Sequence, residues 1–281
     1  MNPKIKIVTD STADLPEDFI REHEISVVPL YVNFPEKTYR DRVDLTPSEF
    51  YPLLEKAGEQ LPKTSAPSIN DFLQTYKSLL EAGHQIISIH ISSGLSGTAS
   101  IAEAAAKMLK GNIRIFDSKS ISLGIGLQVV SALEMVKKNF SLETVFEKLH
   151  KVREQTEVFF SLDTLEYLEK GGRIGKVSSL LGSILKIKPV VRVENGIYVP
   201  LGKARNQKQA IRKMVENMGK VLGKRIPRQI AVVHGAAEEA ALCLKNQIET
   251  TFNQKAAFFA ETGPVIGVHT GPGTLGVGFT Y

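Results

Sequence analysis

A single cysteine in 281 residues leaves no partner for a disulfide and no thiol cluster for a metal. That residue, Cys243, falls in the helical pattern of Ala240, Ala241, Leu244 and Ile248, and is expected to act as a small core side chain. Tryptophan is absent. Lys and Arg number 35 against 30 Asp and Glu, and the resulting charge of +5 is spread thinly, with no run of five basic residues. Nucleic-acid binding, which relies on basic clusters and aromatic platforms, is therefore disfavoured. No apolar run approaches the ~18 residues of a membrane-spanning helix. Residues 4–9 read as a strand, without a preceding signal-like apolar region, so the expected location is cytoplasmic. The six histidines show no paired metal-ligand spacing, and no metal is expected.

Two glycine motifs also fail. Gly271-Pro272-Gly273-Thr274-Leu275-Gly276 fits the dinucleotide-binding pattern by letter, but no strand–helix–strand unit surrounds it. The segment from Gly171 to Lys176 is one residue short of a phosphate-binding loop and lacks the trailing Ser or Thr. No ATP site is recognisable, and no cofactor is expected.

What remains is a soluble globular composition, 42% hydrophobic and 23% charged, long enough for one large or two smaller domains. The stretch 85–110 organises the first half. Ile86, Ile87, Ile89 and Ile91 form a β-branched run. It breaks into Ser92-Ser93-Gly94-Leu95-Ser96-Gly97-Thr98 and then an Ala-rich helix with Ile101, Ala105, Met108 and Leu109 on one face. Ser96 reads as its N-cap and Gly111 as its C′ glycine. Hydroxyls beside unpaired helix N–H groups suit an anion. Capping boxes at Thr46–Glu49 and Ser68–Asp71 start two further helices, and between them 61–68 reads as a polar loop stiffened by two prolines.

Strands at 5–9, 86–91 and 113–116 alternate with helices and end in Asp, Ser and Thr. This predicts an α/β fold, with an N-terminal doubly wound parallel-sheet domain over 1–155 and hydroxyl-bearing loops at its carboxyl edge. From 156 to 281 the pattern changes to an α+β domain. A hairpin turns at Asn195-Gly196, Lys203-Ala204-Arg205 follows it, and the chain ends in a glycine-rich segment with a last strand at 277–281. The ligand cleft is expected between the two domains.

One catalytic reading stays open. Gly94-Leu95-Ser96-Gly97 approximates a nucleophile elbow, although its second glycine comes one place early. A serine hydrolase acting on a lipid or acyl ester would use Ser96, His269 and an acid such as Asp10 or Asp117.

Several segments together resemble one family. Asp10-Ser11-Thr12, Thr64-Ser65-Ala66-Pro67-Ser68, Ser92 to Thr98, Asp117-Ser118-Lys119, Gly172-Arg173-Ile174 and Gly263-Pro264-Val265-Ile266-Gly267-Val268-His269 fall in the order seen in the DegV family. That resemblance, over nearly the whole chain, implies a bacterial two-domain lipid binder. It further implies a non-enzymatic carrier, the fatty-acid-binding subunit of a fatty acid kinase. A separate ATP-binding kinase subunit would phosphorylate the carboxylate of the bound long-chain acid. The carrier would take the acyl phosphate toward phospholipid synthesis, in transient contact with the membrane. Carried over by position, Thr64 and Ser96 would hold the carboxylate, with His269 in the same network and Ser65 and Ser93 beside them. Arg173 and Arg205 would serve phosphoryl transfer or kinase docking. Ala66 departs from the glutamine often found in this loop, which removes one supporting amide. For an acyl chain of about sixteen carbons, ~0.8 kcal/mol per buried methylene makes the apolar tail the main source of affinity. Tunnel walls are expected from 123–127 and from a Ser/Gly/Leu helix at 177–185.

Overall fold

The computed structural model describes residues 4–58, 60–180 and 187–281. Its first half runs β1 (Ile5–Asp10), α1 (Glu17–Glu22), β2 (Ser26–Val28), β3 (Tyr31–Asn33), β4 (Thr38–Arg40), α2 (Pro47–Ala57), β5 (Lys63–Ser65), α3 (Ile69–Glu81), β6 (Gln85–His90), α4 (Thr98–Lys107), β7 (Ile113–Asp117), α5 (Leu123–Lys137) and α6 (Leu142–Glu154). The second half runs β8 (Thr156–Ser161), α7 (Glu166–Lys170), β9 (Lys188–Glu194), β10 (Ile197–Ala204), α8 (Gln207–Leu222), β11 (Gln229–His234), α9 (Glu238–Phe252), β12 (Phe258–Glu261), α10 (Pro264–Thr270) and β13 (Leu275–Thr280). A 3-10 turn covers Gly175–Leu180. The remainder of the helix expected at 177–185 lies largely outside the described residues.

The expected parallel sheet is present, in the order β2-β1-β6-β7. Alternate side chains cover its two faces, as the two-residue period of a strand requires. Val8 and Ile86 pack with Phe72 and Tyr76 of α3 and Ala102 and Ala105 of α4. Ile7, Ile87 and Ile89 pack instead with Ile125, Val129, Val145 and Leu149 of α5 and α6. A second, mixed sheet has the order β10-β9-β8-β13-β11-β12, in which only the β11–β12 pair is parallel. Its hairpin turns at Asn195 (φ +52°) and Gly196 (φ +82°), the left-handed pair that a tight two-residue turn needs.

Helix α5 serves both sheets. Its run from Leu123 to Val129 is buried all round, with Ile125 and Val129 toward the first sheet and Leu123 and Leu127 against Ala231 and Val233 of β11. Gly124 makes this possible, since a Cβ there would lie 2.4 Å from Val158 Cγ2 and 1.9 Å from Ser120 Oγ. The Leu-Gly-Ile-Gly-Leu run is thus a close-packing device.

A small third sheet, β4-β3-β5, is where local reading fell short. Residues 63–65, expected in a loop, pair with β3 as an edge strand. Three residues carry no periodic signature, and the partner is thirty residues away. Four further expectations are corrected. Ser96 is not the N-cap of α4: Gly97 holds that position, while Ser96 Oγ bonds Thr98 Oγ1 at 2.8 Å. The helix stops at Lys107, so Met108 is exposed and Gly111 is not a C′ glycine. The glycine of Gly111 instead accommodates Leu80. Cys243 is exposed rather than in the core, because the inner stripe of α9 is Ala241, Leu244 and Ile248. Both capping boxes are formed as expected.

Polar ends of β1 and β6 are locked together in the core. Asp10, fully buried, accepts hydrogen bonds from the Ile91 N–H at 3.0 Å and the Thr12 N–H at 3.1 Å, and its Oδ2 lies 3.0 Å from His90 Nδ1. The chain of contacts continues from His90 Nε2 to Ser88 Oγ (2.6 Å) and on to Tyr76 Oη (2.8 Å). Removing one member leaves the others without partners in a dry interior. Asp10→Ala is expected to destabilise the protein by about 3–5 kcal/mol in urea denaturation. A loss below about 1 kcal/mol would show that the network does not support the fold.

Candidate functional site

Thr64 and His269 come from opposite ends of the chain and meet at 2.8 Å (Oγ1 to Nε2). Register places Thr64 opposite Val32 on β3, turned inward while Lys63 and Ser65 are exposed. His269 is carried by α10, a helix hidden in the glycine-rich C-terminal segment. Pro264 begins that helix at a position where its missing N–H costs nothing.

Buried charges of the N-terminal half anchor this helix. Asp14 accepts from the Gly263 N–H and from Arg42 Nη2, both at 2.8 Å, and Arg42 also donates to the Glu261 carbonyl at 2.8 Å. Asp41 accepts from the Val265 N–H at 3.4 Å, and burial pushes its carboxyl up to about 7 against the pull of Arg42. Tyr51 Oη lies 2.5 Å from Thr262 Oγ1. These contacts fix where the imidazole sits.

Burial and the nearby Arg173 charge lower His269 to about 4, so the ring is neutral near pH 7. Its Nδ1 is buried without a partner. A buried N–H left unpaired is costlier than a bare lone pair, which assigns the proton to Nε2. Nε2–H then donates to Thr64 Oγ1, and the Thr64 hydroxyl proton is left to donate onward.

Two neighbouring spaces share these groups. The inner cavity, of about 40 Å³, has Thr64, Ser65, Ser96, Arg173 and His269 around it and an apolar wall of Leu30, Ile91, Leu95, Ile121, Tyr198 and Ile266. The outer pocket, of about 380 Å³, shares Thr64, Arg173 and His269 and adds Lys63 and Lys170. Arg173 is held on the common wall by its bonds to the Gly171 carbonyl (2.9 Å) and the Leu95 carbonyl (3.3 Å). An oxyanion entering this site meets neutral hydroxyl donors first and one fixed cation beside them.

Five of the seven residues singled out in the sequence therefore come together. Ser93 does not join them: it is exposed, and its Oγ accepts from Lys119 Nζ at 2.8 Å. Arg205 also lies apart, exposed just before α8 with its backbone N–H donating to Gln209 Oε1. The apolar wall of the inner cavity comes from loops, strands and helix α10, which converge only in three dimensions, and residues 123–127, expected there, are not on it. Lys63, Lys170 and Tyr198 had no sequence signal, since nothing local distinguishes them from surface lysines and a core tyrosine.

The hydrolase arrangement is not assembled. The bond from His269 Nε2 goes to Thr64, Nδ1 meets no acid, and Ser96 Oγ bonds Thr98. Asp10 is committed to His90, and Asp117 to Lys119 and the Ser93 N–H. Among the described residues no group of three or more His, Cys, Asp or Glu is placed to hold a metal, and no helix is long and apolar enough to cross a membrane.

A family model for uncharacterised proteins of the DegV family matches residues 4–281. The chain belongs to the DegV family. A DegV domain-containing protein of Clostridium acetobutylicum is 39% identical over 278 residues, 98% of each chain. Among solved structures, a DegV family protein from Thermus thermophilus, reported for its fatty-acid binding, superposes with a TM-score of 0.92 at 36% identity, covering 99% of this chain and 100% of that one. A stearic-acid-binding protein from Eubacterium ventriosum gives a TM-score of 0.93 at 30% identity over 98% of each chain. The two-domain α/β architecture of the DegV fold is thus established for this chain.

Gly171 holds the imidazole in place by lacking a side chain. A Cβ there would lie 2.2 Å from His269 Nδ1 and 2.8 Å from the Tyr167 carbonyl. In NMR titration, His269 of the wild type is expected to protonate near pH 4. Gly171→Ala is expected to move that midpoint toward the ordinary value of ~6.5 as the ring is displaced toward solvent. The sign for stability follows. The unfolded chain takes up the proton first, so the contribution of the neutral ring is present above pH ~6.5 and is lost as pH falls toward 4. An unshifted midpoint in Gly171→Ala would remove the positioning role.

Proposed function

We propose that this DegV protein is a carrier for a long-chain fatty acid, with the carboxylate at Thr64, Ser96 and His269 and the acyl chain directed along the apolar wall. The observation that carries the reading is the pairing of neutral hydroxyl donors with an apolar cavity at one point of contact between the two halves of the chain. Binding of fatty acids by the Thermus and Eubacterium relatives supports it. In this reading residues 1–155 and 156–281 are the two domains, and the acid lies between them.

The donor set also suits what is proposed to follow. A carboxylate gripped by a bidentate arginine has both oxygens occupied, whereas hydroxyls satisfy the head group and leave it nucleophilic. A separate kinase subunit would bring ATP. A carboxylate oxygen would attack the γ-phosphorus, the bond to the bridging oxygen would break, and ADP would leave. The acyl phosphate would then go to phospholipid synthesis. Arg205, exposed and outside both cavities, is suited to docking that subunit, and Arg173 to the charge at the head group. A cytoplasmic carrier with transient membrane contact fits these roles.

Native mass spectrometry with solvent extraction of the purified protein tests the carrier reading. A stoichiometric long-chain acid, or uptake of added palmitate or oleate, is expected. A clean mass with no uptake would overturn it. Thr64→Ala and Ser96→Ala are each expected to weaken palmitate binding by about 1–3 kcal/mol, because a charged acceptor loses a donor. Unchanged affinity in both would refute the head-group assignment. Arg205→Ala is expected to bind palmitate normally but to be a poor substrate for the kinase subunit, and equal phosphorylation rates would exclude the docking role.

A further inference from the structure

The outer pocket is far larger than a carboxylate needs. Its volume is about 380 Å³, and Thr64, Arg173 and His269 line it as they line the inner cavity. Basic side chains predominate among its described lining residues. Lys63, Lys170 and Arg173 line it, and no Asp or Glu appears among the described residues that do so. Lys170 forms an ion pair with Glu166 at 2.6 Å. Even with that pair balanced, Lys63 and Arg173 add positive charge to the described part of the wall. Desolvation keeps the fourth basic group, His269, neutral near pH 7, so the charge is concentrated on the outer side of the head-group position.

The geometry separates two functions. Arg173 is tied to two backbone carbonyls, which hold it at the boundary between the spaces. Lys63 extends from the exposed side of β5 next to inward-facing Thr64, and Lys170 closes α7 just before Gly171, which abuts the His269 ring. A lysine ammonium is a mobile point charge that follows a tetrahedral oxyanion better than it fixes a planar carboxylate. A group attached to the carboxylate oxygen and directed outward would enter the pocket that these two lysines line.

We propose that the outer pocket is a phosphoryl subsite, in which Lys63 and Lys170, with Arg173, hold a phosphate-class oxyanion just beyond the carboxylate position. The inference rests on the carrier reading for the source of that oxyanion, an acyl phosphate. Free inorganic phosphate shares the same chemistry. The subsite explains how one protein holds both the acid and its phosphorylated form: the acyl chain and hydroxyls serve both, and the lysines grip only the second.

The test uses the full-length wild type, Lys63→Gln, Lys170→Gln and the double variant. Palmitate and freshly prepared palmitoyl phosphate are each titrated by native mass spectrometry, and inorganic phosphate is titrated by ³¹P NMR. The double variant is expected to lose tenfold or more in affinity for palmitoyl phosphate while palmitate stays within twofold, and raised salt should weaken only the phosphorylated ligand. Equal losses for both lipids, or none for palmitoyl phosphate, would overturn the subsite. Saturable binding of inorganic phosphate that disappears in the double variant would support the subsite with free phosphate as a ligand in its own right. Failure of wild type to bind palmitate would defeat the carrier reading alone. The phosphate titration would then decide the pocket, and no phosphate binding would overturn it.

Discussion

The site depends on a short segment near the chain's end being held against residues from its beginning. Asp14, Asp41 and Arg42 grip the backbone from Glu261 to Val265, and Tyr51 adds its hydroxyl at Thr262. Each contact places charge or a polar hydrogen where water is excluded, which stabilises only when the partners are complete. Asp14 and Arg42 even adopt left-handed backbone, with φ of +50° and +61°, to reach their positions. The outcome of this investment is one coordinate. It sets the helix that carries His269 beside the edge strand that carries Thr64.

That placement decides the electrostatic character of the head-group position. An imidazole on an exposed loop would titrate near neutrality and switch with small changes in pH. Buried against Gly171 and beside a guanidinium, it stays neutral and acts as a hydrogen-bond donor of fixed orientation. Arg173 stands on the wall shared by both spaces, and the two lysine charges line only the outer one. Under the proposed function, neutral donors with a single guanidinium beside them and lysines farther out would retain an oxyanion without neutralising the oxygen that is to react.

Local sequence chemistry revealed the scaffold well and the site less evenly. Capping boxes at Thr46 and Ser68, the Asn195-Gly196 turn and the isoleucine strand are governed by neighbours within a few residues, so their outcomes could be read directly. Edge strand β5 owes its existence to pairing with β3, and α10 owes its stability to anchors more than two hundred residues away. Neither influence leaves a periodic mark. The same limit explains Cys243, whose helical pattern was right but whose phase was off by one position, enough to turn it outward. Thr64, Ser65, Ser96, Arg173 and His269 were recognisable through the family's ordered segments. Lys63 and Lys170 were not, since only the folded chain brings them to one pocket.

The apolar wall is continuous with the core. Ile91, Ile121, Tyr198 and Ile266 belong to the largest core cluster of the protein, the one that joins α5 and α6 to both sheets. About 40 Å³ is well below the ~300–1,000 Å³ typical of ligand pockets, so under the proposed carrier reading an acyl chain would gain its place by parting core side chains. Close-packed interiors resist such opening, and the cost is offset by the many methylenes buried in exchange. A carrier of the proposed kind would make its cargo part of its own core. Ligand affinity and fold stability would then be coupled by mass action, and the protein would be most stable when loaded. Shedding the cargo requires a partner or surface able to accept the whole chain, which suits transfer better than free release.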